Sequence, residues 1–206
     1  MTAASDDASI RDDFLPVTIE QDEQSYSGFR QVHTYTYREN ESGLTARREI
    51  VSGQHAIAVV AYDPKLEKLV MIRQFRIGAQ LGTGKGLCVE LAAGLIDPGE
   101  DAPTAAKREL LEETGLKARH IAPMCQFLTT PGITDEVLHI FYAEVDAQEL
   151  VEEAGHESES ERTFPFTLTL DEALAVVDSN AVYNGIVMIG LMWFARHRSQ
   201  LVNRTE

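Results

Sequence analysis

The chain has 206 residues and a formal net charge of −15, with 44% hydrophobic and 25% charged residues. This length and balance describe one globular domain, or one domain with an N-terminal extension, with enough apolar residues to fill a core. The acidic excess argues against nucleic acid as a partner, since displacing phosphate counterions requires a basic face, yet it leaves room for a small anion held through divalent cations.

Residues 1–14 read as a disordered tail, small, acidic and aperiodic, without the basic and then apolar pattern of a signal peptide. Residues 15–52 read as an N-terminal β extension. Phe29 to Tyr37 alternates and Leu44 to Val51 follows a turn-like ENESG, which predicts a hairpin. His55 to Tyr62 and Leu69 to Phe75 predict stronger strands, joined by the turn DPKLEK. Residues 80–86, QLGTGKG, read as a glycine-rich loop. They do not form a P-loop, because no Ser or Thr follows Lys85 and no strand-to-helix framing surrounds it. After the turn LIDPGED a helix is expected from about Ala102 to Thr114. Pro103 sits in its first turn, where a missing N–H costs little, and Gly115 suits a left-handed C-terminal cap.

Strands are expected in 118–128 and 137–144, loop over at least part of Glu149 to Arg162, and a last strand near 163–168. Two helices should begin near Leu170 and Tyr183. The apolar stretch Ile186 to Ala195 is too short for a bilayer, which needs about 20 residues. Strands and helices mix without strict alternation, so the fold class is α+β or α/β, a mixed sheet between helices. Cys88 and Cys125 are far apart and in apolar runs, so both are expected as buried free thiols of a reducing, cytoplasmic compartment. The histidines show no HxxxH pair, and no zinc site is expected.

Glu109, Glu112 and Glu113 carry the chemistry. Spaced i, i+3, i+4, they share one helix face. Alone, such a cluster is a solvated acidic face. Like charges that close destabilise a helix by a few tenths of a kcal/mol per pair, which calls for a cation. Arg108 supplies part of it, and hard divalent ions, which favour oxygen ligands, would supply the rest.

The surrounding pattern decides between these readings. Gly94, Glu100, Arg108, Glu109, Leu110, Glu112, Glu113, Gly115 and Leu116 resemble the Nudix box position for position. From about Tyr26 to Trp193 the chain is also similar to the bacterial ADP-ribose pyrophosphatase group. YSGF (26–29), RREI (47–50), FRI (75–77), VELAAGLIDPGE (89–100), TPGITDE (130–136) and YNGIVMIGLMW (183–193) carry that similarity. Pro131 stands 15 residues past Leu116, a spacing associated with ADP-ribose specificity in the superfamily.

The resemblance implies a Nudix domain over 53–206, with α/β/α layering, behind an antiparallel extension that exchanges strands in a homodimer. It implies two or three Mg²⁺ ions, or Mn²⁺ in their place. Their ligands would be Glu109, Glu113, Glu161 and the Ala93 carbonyl, with Glu112 assisting. Arg108 would hold the helix carboxylates, oriented by Glu100. Glu159 falls at the family's general base, and Glu136 is a further candidate for hydrogen bonding or metal assistance. Arg48, Glu49 and Arg76 match ligand-contacting positions, Phe29 an aromatic that stacks on adenine, and Leu95 with Thr130, Pro131 and Gly132 would line the pocket. Phe29 and Arg48 would serve the neighbouring subunit's site. The implied partner is a small nucleoside diphosphate sugar, with no nucleic acid or membrane. The implied reaction is hydrolysis of ADP-ribose to AMP and ribose 5-phosphate. Two alternatives stay open: a Nudix hydrolase of another sugar nucleotide such as GDP-mannose, and a non-catalytic Nudix-like ligand sensor.

Overall fold

The computed structural model describes residues 10–156 and 161–202. Of the expected tail, residues 10–14 are exposed and lie outside any helix or strand, and 1–9 fall outside the described residues. The chain forms two compact units, one reaching Gly53 and including Gly132–Asp135, the other made of Gln54–Pro131 and the residues from Glu136 onward.

The first unit is an antiparallel sheet of β1 (Val17–Ser27), β2 (Gln31–Glu39) and β3 (Thr45–Ser52), in that order. The expected hairpin is β2 and β3, turning through Gly43, whose φ of +70 suits glycine. The strand β1 was not expected. Its sequence VTIEQDEQSYS is rich in poor strand formers, every residue is exposed, and its extended state comes from pairing with β2 from Val17↔Glu39 to Ser27↔Gln31.

The second unit is built on a mixed sheet. Its main path runs β10 (Thr163–Leu168), β5 (Lys68–Phe75), β4 (Ala56–Asp63), β9 (Val137–Glu144), β8 (His120–Leu128), with β4 and β9 parallel and the other pairs antiparallel. Two short strands, β6 (Leu87–Glu90) and β7 (Ala92–Leu95), pair with β5 and β4. All eight residues of β4 are buried, which is why its sequence reads as a continuous apolar run. Ala58, Val60 and Tyr62 face a core completed by Val187, Leu191 and Phe194 of helix α4 (Gly185–Val202), against which α3 (Leu170–Asp178) also packs. Ile57, Val59 and Ala61 face the other core, with Ala105, Ala106 and Leu110 of α2 (Ala102–Thr114). Helices therefore cover both faces of the sheet, as expected. At Gly190, an added Cβ would come within 2.8 Å of Leu91 Cδ1, so a side chain there would make Leu91 shift where α4 meets the sheet. No helix of the described residues is long and apolar enough to cross a membrane.

Two expectations are corrected. Residues 80–83 of the expected loop belong to a helix, α1 (Ile77–Thr83), which Gly84 ends at φ +73. It buries no residue, so no apolar stripe announces it, and local bonds such as Gln80 N to Arg76 O (3.0 Å) hold it. Both cysteines are free but only partly buried.

Asp63, at the end of β4, is a buried organiser. It accepts the N–H groups of Lys65 and Leu66 on one oxygen (2.8 and 3.1 Å) and that of Ala147 on the other (2.9 Å). Burial pushes its pKa up, but these three donors outweigh it and hold the carboxyl below its ordinary value. Asp63→Ala should cost roughly 1–3 kcal/mol, because three backbone N–H groups lose a charged acceptor. A group with a depressed folded pKa contributes stability above its unfolded value, so this cost should shrink as pH falls below about 4. Urea unfolding at pH 7 and pH 3 checks both statements.

Candidate active site

The site begins with how α2 is anchored. Asp101 caps its start, accepting the N–H of Thr104 at 2.8 Å, and Gly115 ends it at φ +72, donating to Leu111 O at 2.9 Å. At the far end Thr163 Oγ1 of β10 donates to Glu113 O at 2.8 Å. With both ends fixed, one face presents Glu109, Glu112 and Glu113 at defined depth.

Arg108 braces that face. It forms a fork on Glu100, Nε to Oε1 at 3.1 Å and Nη2 to Oε2 at 2.9 Å. Its Nη1 donates to Glu109 Oε1 (2.7 Å) and Glu112 Oε2 (3.2 Å), and its Nη2 to Leu95 O (2.9 Å). One planar guanidinium thus ties three carboxylates and a strand carbonyl, a role a lysine's point charge cannot reproduce. The bonds to Glu100 above all raise the Arg108 pKa, and the same bonds lower that of Glu100. Gly94 is explained by the same geometry, because a Cβ there would overlap the Glu109 carboxylate.

Glu113 is the anomaly. It is 2% exposed, its Oε2 accepts the Ala93 N–H at 2.8 Å, and its buried Oε1 has no hydrogen-bond partner. Burial drives its pKa well above the carboxylate range. The Ala93 N–H and the Arg76 charge pull it down, and the charges of Glu109 and Glu161 push it further up. These four side chains therefore share one electrostatic neighbourhood. A buried carboxylate oxygen without a donor costs energy unless something positive reaches it. Glu113 thus fits a cation ligand, as do the neighbouring acids. Among the described residues, no three His, Cys, Asp or Glu side chains already stand in metal-holding geometry, and Arg108 occupies oxygens of Glu109 and Glu112.

Arg76 follows β5 and pairs with Glu90 of β6 at 2.8 Å, with Nη1 3.9 Å from Glu161. Arg76 and Glu90 also face a cavity of about 420 Å³ that Leu87, Cys88, Val182 and Tyr183 help to line, within the range of small-ligand pockets. Glu136 accepts from Thr129 Oγ1 at 3.1 Å, and Thr130 and Pro131 are exposed beside it in sequence. The structure thus brings together Arg76, Ala93, Leu95, Glu100, Arg108, Glu109, Glu112, Glu113 and Glu161. Phe29 (91% exposed), Arg48, Glu49 and Gly132 belong to the first unit, and Glu159 lies outside the described residues. Sequence reasoning gave Glu90 no role. The signal was present, since Glu90 is the lone carboxylate in the otherwise apolar run CVELAAGL.

A Nudix domain model matches residues 53–183, more than half of the chain. The chain belongs to the Nudix family. The ADP-ribose pyrophosphatase of Escherichia coli is 30% identical over 205 residues, covering 94% of this chain and 98% of that protein. The GDP-mannose pyrophosphatase of Citrobacter koseri is 27% identical over 191 residues, covering 90% of this chain and 97% of that protein. A crystal structure of an ADP compounds hydrolase superposes with a TM-score of 0.73 at 20% identity, covering 92% of this chain and 98% of that one, a likeness of fold. The loop-and-helix segment from Gly94 to Leu116, with the braced acids described above, lies within the matched residues.

Proposed function

We propose that this Nudix protein hydrolyses ADP-ribose to AMP and ribose 5-phosphate with Mg²⁺, or Mn²⁺ in its place. The observation that carries the reading is the partnerless buried Glu113 oxygen beside an Arg108-braced acid face, in a chain similar over 94% of its length to an ADP-ribose pyrophosphatase. Glu109, Glu113, Glu161 and the Ala93 carbonyl would hold the ions, two or three of them, with Glu112 assisting. Divalent ions supply charge withdrawal from phosphate oxygens and a more acidic water.

The chain's own groups do the rest. Arg108 keeps the carboxylates at fixed positions, and Arg76 offers donors to the diphosphate. Glu159 takes a proton as water attacks phosphorus and the P–O bond to the leaving phosphate breaks. Glu136 stands as the alternative base. Phe29, Arg48, Glu49, Leu95, Thr130, Pro131 and Gly132 are assigned to the substrate. Chromatography of products from a panel of nucleotide sugars tests the substrate: ADP-ribose should be preferred. GDP-mannose consumed with ADP-ribose untouched would transfer the reading to the other relative's activity.

Glu159 and Glu161 are given different tasks. Glu159→Gln should lower kcat by about 10²–10⁴ without changing the Mg²⁺ dependence. Glu161→Gln should shift the Mg²⁺ requirement upward and regain activity at high Mg²⁺. Rescue of the first variant by Mg²⁺ and not the second would exchange the two roles.

A homodimer acting in the cytoplasm completes the proposal. Sedimentation should give twice the monomer mass. Mixing Arg48→Ala with Glu113→Gln chains should restore part of the activity, because one hybrid site escapes both lesions. No recovery in verified heterodimers would leave each site within one chain.

A further inference from the structure

Glu90 of β6 is 6% exposed, and three side-chain donors satisfy it. Arg76 Nε lies 3.3 and 3.1 Å from its two oxygens, and Arg76 Nη2 lies 2.8 Å from Oε2. Asn184 Nδ2 donates to Oε1 at 3.1 Å. The other end of that amide is also committed, since Oδ1 accepts the N–H groups of Ile186 (2.9 Å) and Val187 (3.4 Å) where α4 begins. Turning the amide over would set its NH₂ against two N–H donors, so the helix start directs Nδ2 at Glu90. A chain of contacts runs from the start of α4 through Asn184 and Glu90 to Arg76.

This arrangement divides the guanidinium. Its Nε and Nη2 edge is used by Glu90, while Nη1 faces Glu161 at 3.9 Å, beyond hydrogen-bond length. An arginine with no fixed partner, beside acids as close as Glu161 and Glu113, would collapse onto them. Here Glu90 holds it back with donors to spare. An ion pair with one half-exposed partner adds little net stability, so what this pair contributes is geometry.

We infer that Glu90 and Asn184 are positioning residues that hold Arg76 with its Nη1 donors free for the phosphate oxygens of a nucleoside diphosphate. The inference rests on the proposed contact between Arg76 and the diphosphate of ADP-ribose.

The test is a double-mutant comparison of kcat/KM for ADP-ribose with Mg²⁺. Glu90→Gln keeps shape and removes the charge. Asn184→Ser keeps a helix-capping oxygen and removes the donor to Glu90. Glu90→Gln should lower kcat/KM by roughly 10–100-fold, and Asn184→Ser by about 3–10-fold, the scale expected when a substrate-binding group is displaced by a fraction of an ångström to an ångström. In an Arg76→Ala background neither substitution should lower it further, because both act through that guanidinium. A purely structural role would give the same loss in both backgrounds, and that result, or wild-type kcat/KM in both single variants, overturns the inference. Should Glu90→Gln fail to fold, Asn184→Ser carries the same comparison. If Arg76→Ala itself keeps wild-type kcat/KM, the substrate contact fails first and takes the inference with it. An impaired Arg76→Ala with additive partners refutes the positioning alone.

Discussion

Glu113→Gln should lower kcat by roughly 10²–10⁴ while leaving the fold intact, the range typical of removing a direct catalytic contribution. Glutamine keeps the size of the side chain, and its amide oxygen can still accept the Ala93 N–H that Glu113 Oε2 accepts now. What disappears is a hard anionic oxygen at the buried position where Glu113 Oε1 has no partner. Without metal the variant should be as stable as the parent, or more so. Burial raises the Glu113 pKa, and a group raised in the folded state contributes stability that is complete below its unfolded value and is lost as pH rises through the folded one. The parent therefore carries a destabilising anion at high pH that the variant lacks. Thermal unfolding in EDTA should show the variant's advantage at pH 8 and little of it at pH 4. Turnover near the parent's at low Mg²⁺ would remove Glu113 from the ligand set.

Arg108→Lys should lower kcat/KM by about 100-fold, as expected for misplacing several catalytic groups at once. Lysine keeps the charge but lacks the planar fork that reaches both Glu100 oxygens, Glu109, Glu112 and the Leu95 carbonyl together. Unlike Glu113→Gln, it should also destabilise the metal-free protein, by about 1–3 kcal/mol, because Glu100 and Glu109 lose charged donors. Kinetics and denaturation on one preparation separate the two variants. Parental activity in Arg108→Lys would mean the acids hold their places without the brace.

How much of this was legible depended on whether the signal was local. The carboxylate helix could be placed closely because Pro103 and Gly115 act within one turn of its ends, and the expected span Ala102 to Thr114 is the span found. The buried strand β4 was legible from its apolar run. The edge strand β1 was not, since its extended form depends on β2, and α1 was hidden by glycines in a segment that buries nothing. The site divides in the same way. Gly94 and Arg108 were marked by the box, yet the reasons for them, overlap with Glu109 and a five-donor brace, appear only in three dimensions. Asn184 and Glu90 stand 94 positions apart, so no spacing rule could join them.

Hydrolysis of ADP-ribose in ¹⁸O-labelled water with Mg²⁺, read by mass spectrometry of both products, tests the central claim most directly. Water attack on phosphorus at the braced acid face predicts AMP and ribose 5-phosphate in equal amounts, with one ¹⁸O in the phosphate of one of them and no free phosphate. ADP and ribose, with the ¹⁸O in the sugar, would place the attack at carbon, and ADP-ribose left intact would contradict the account outright.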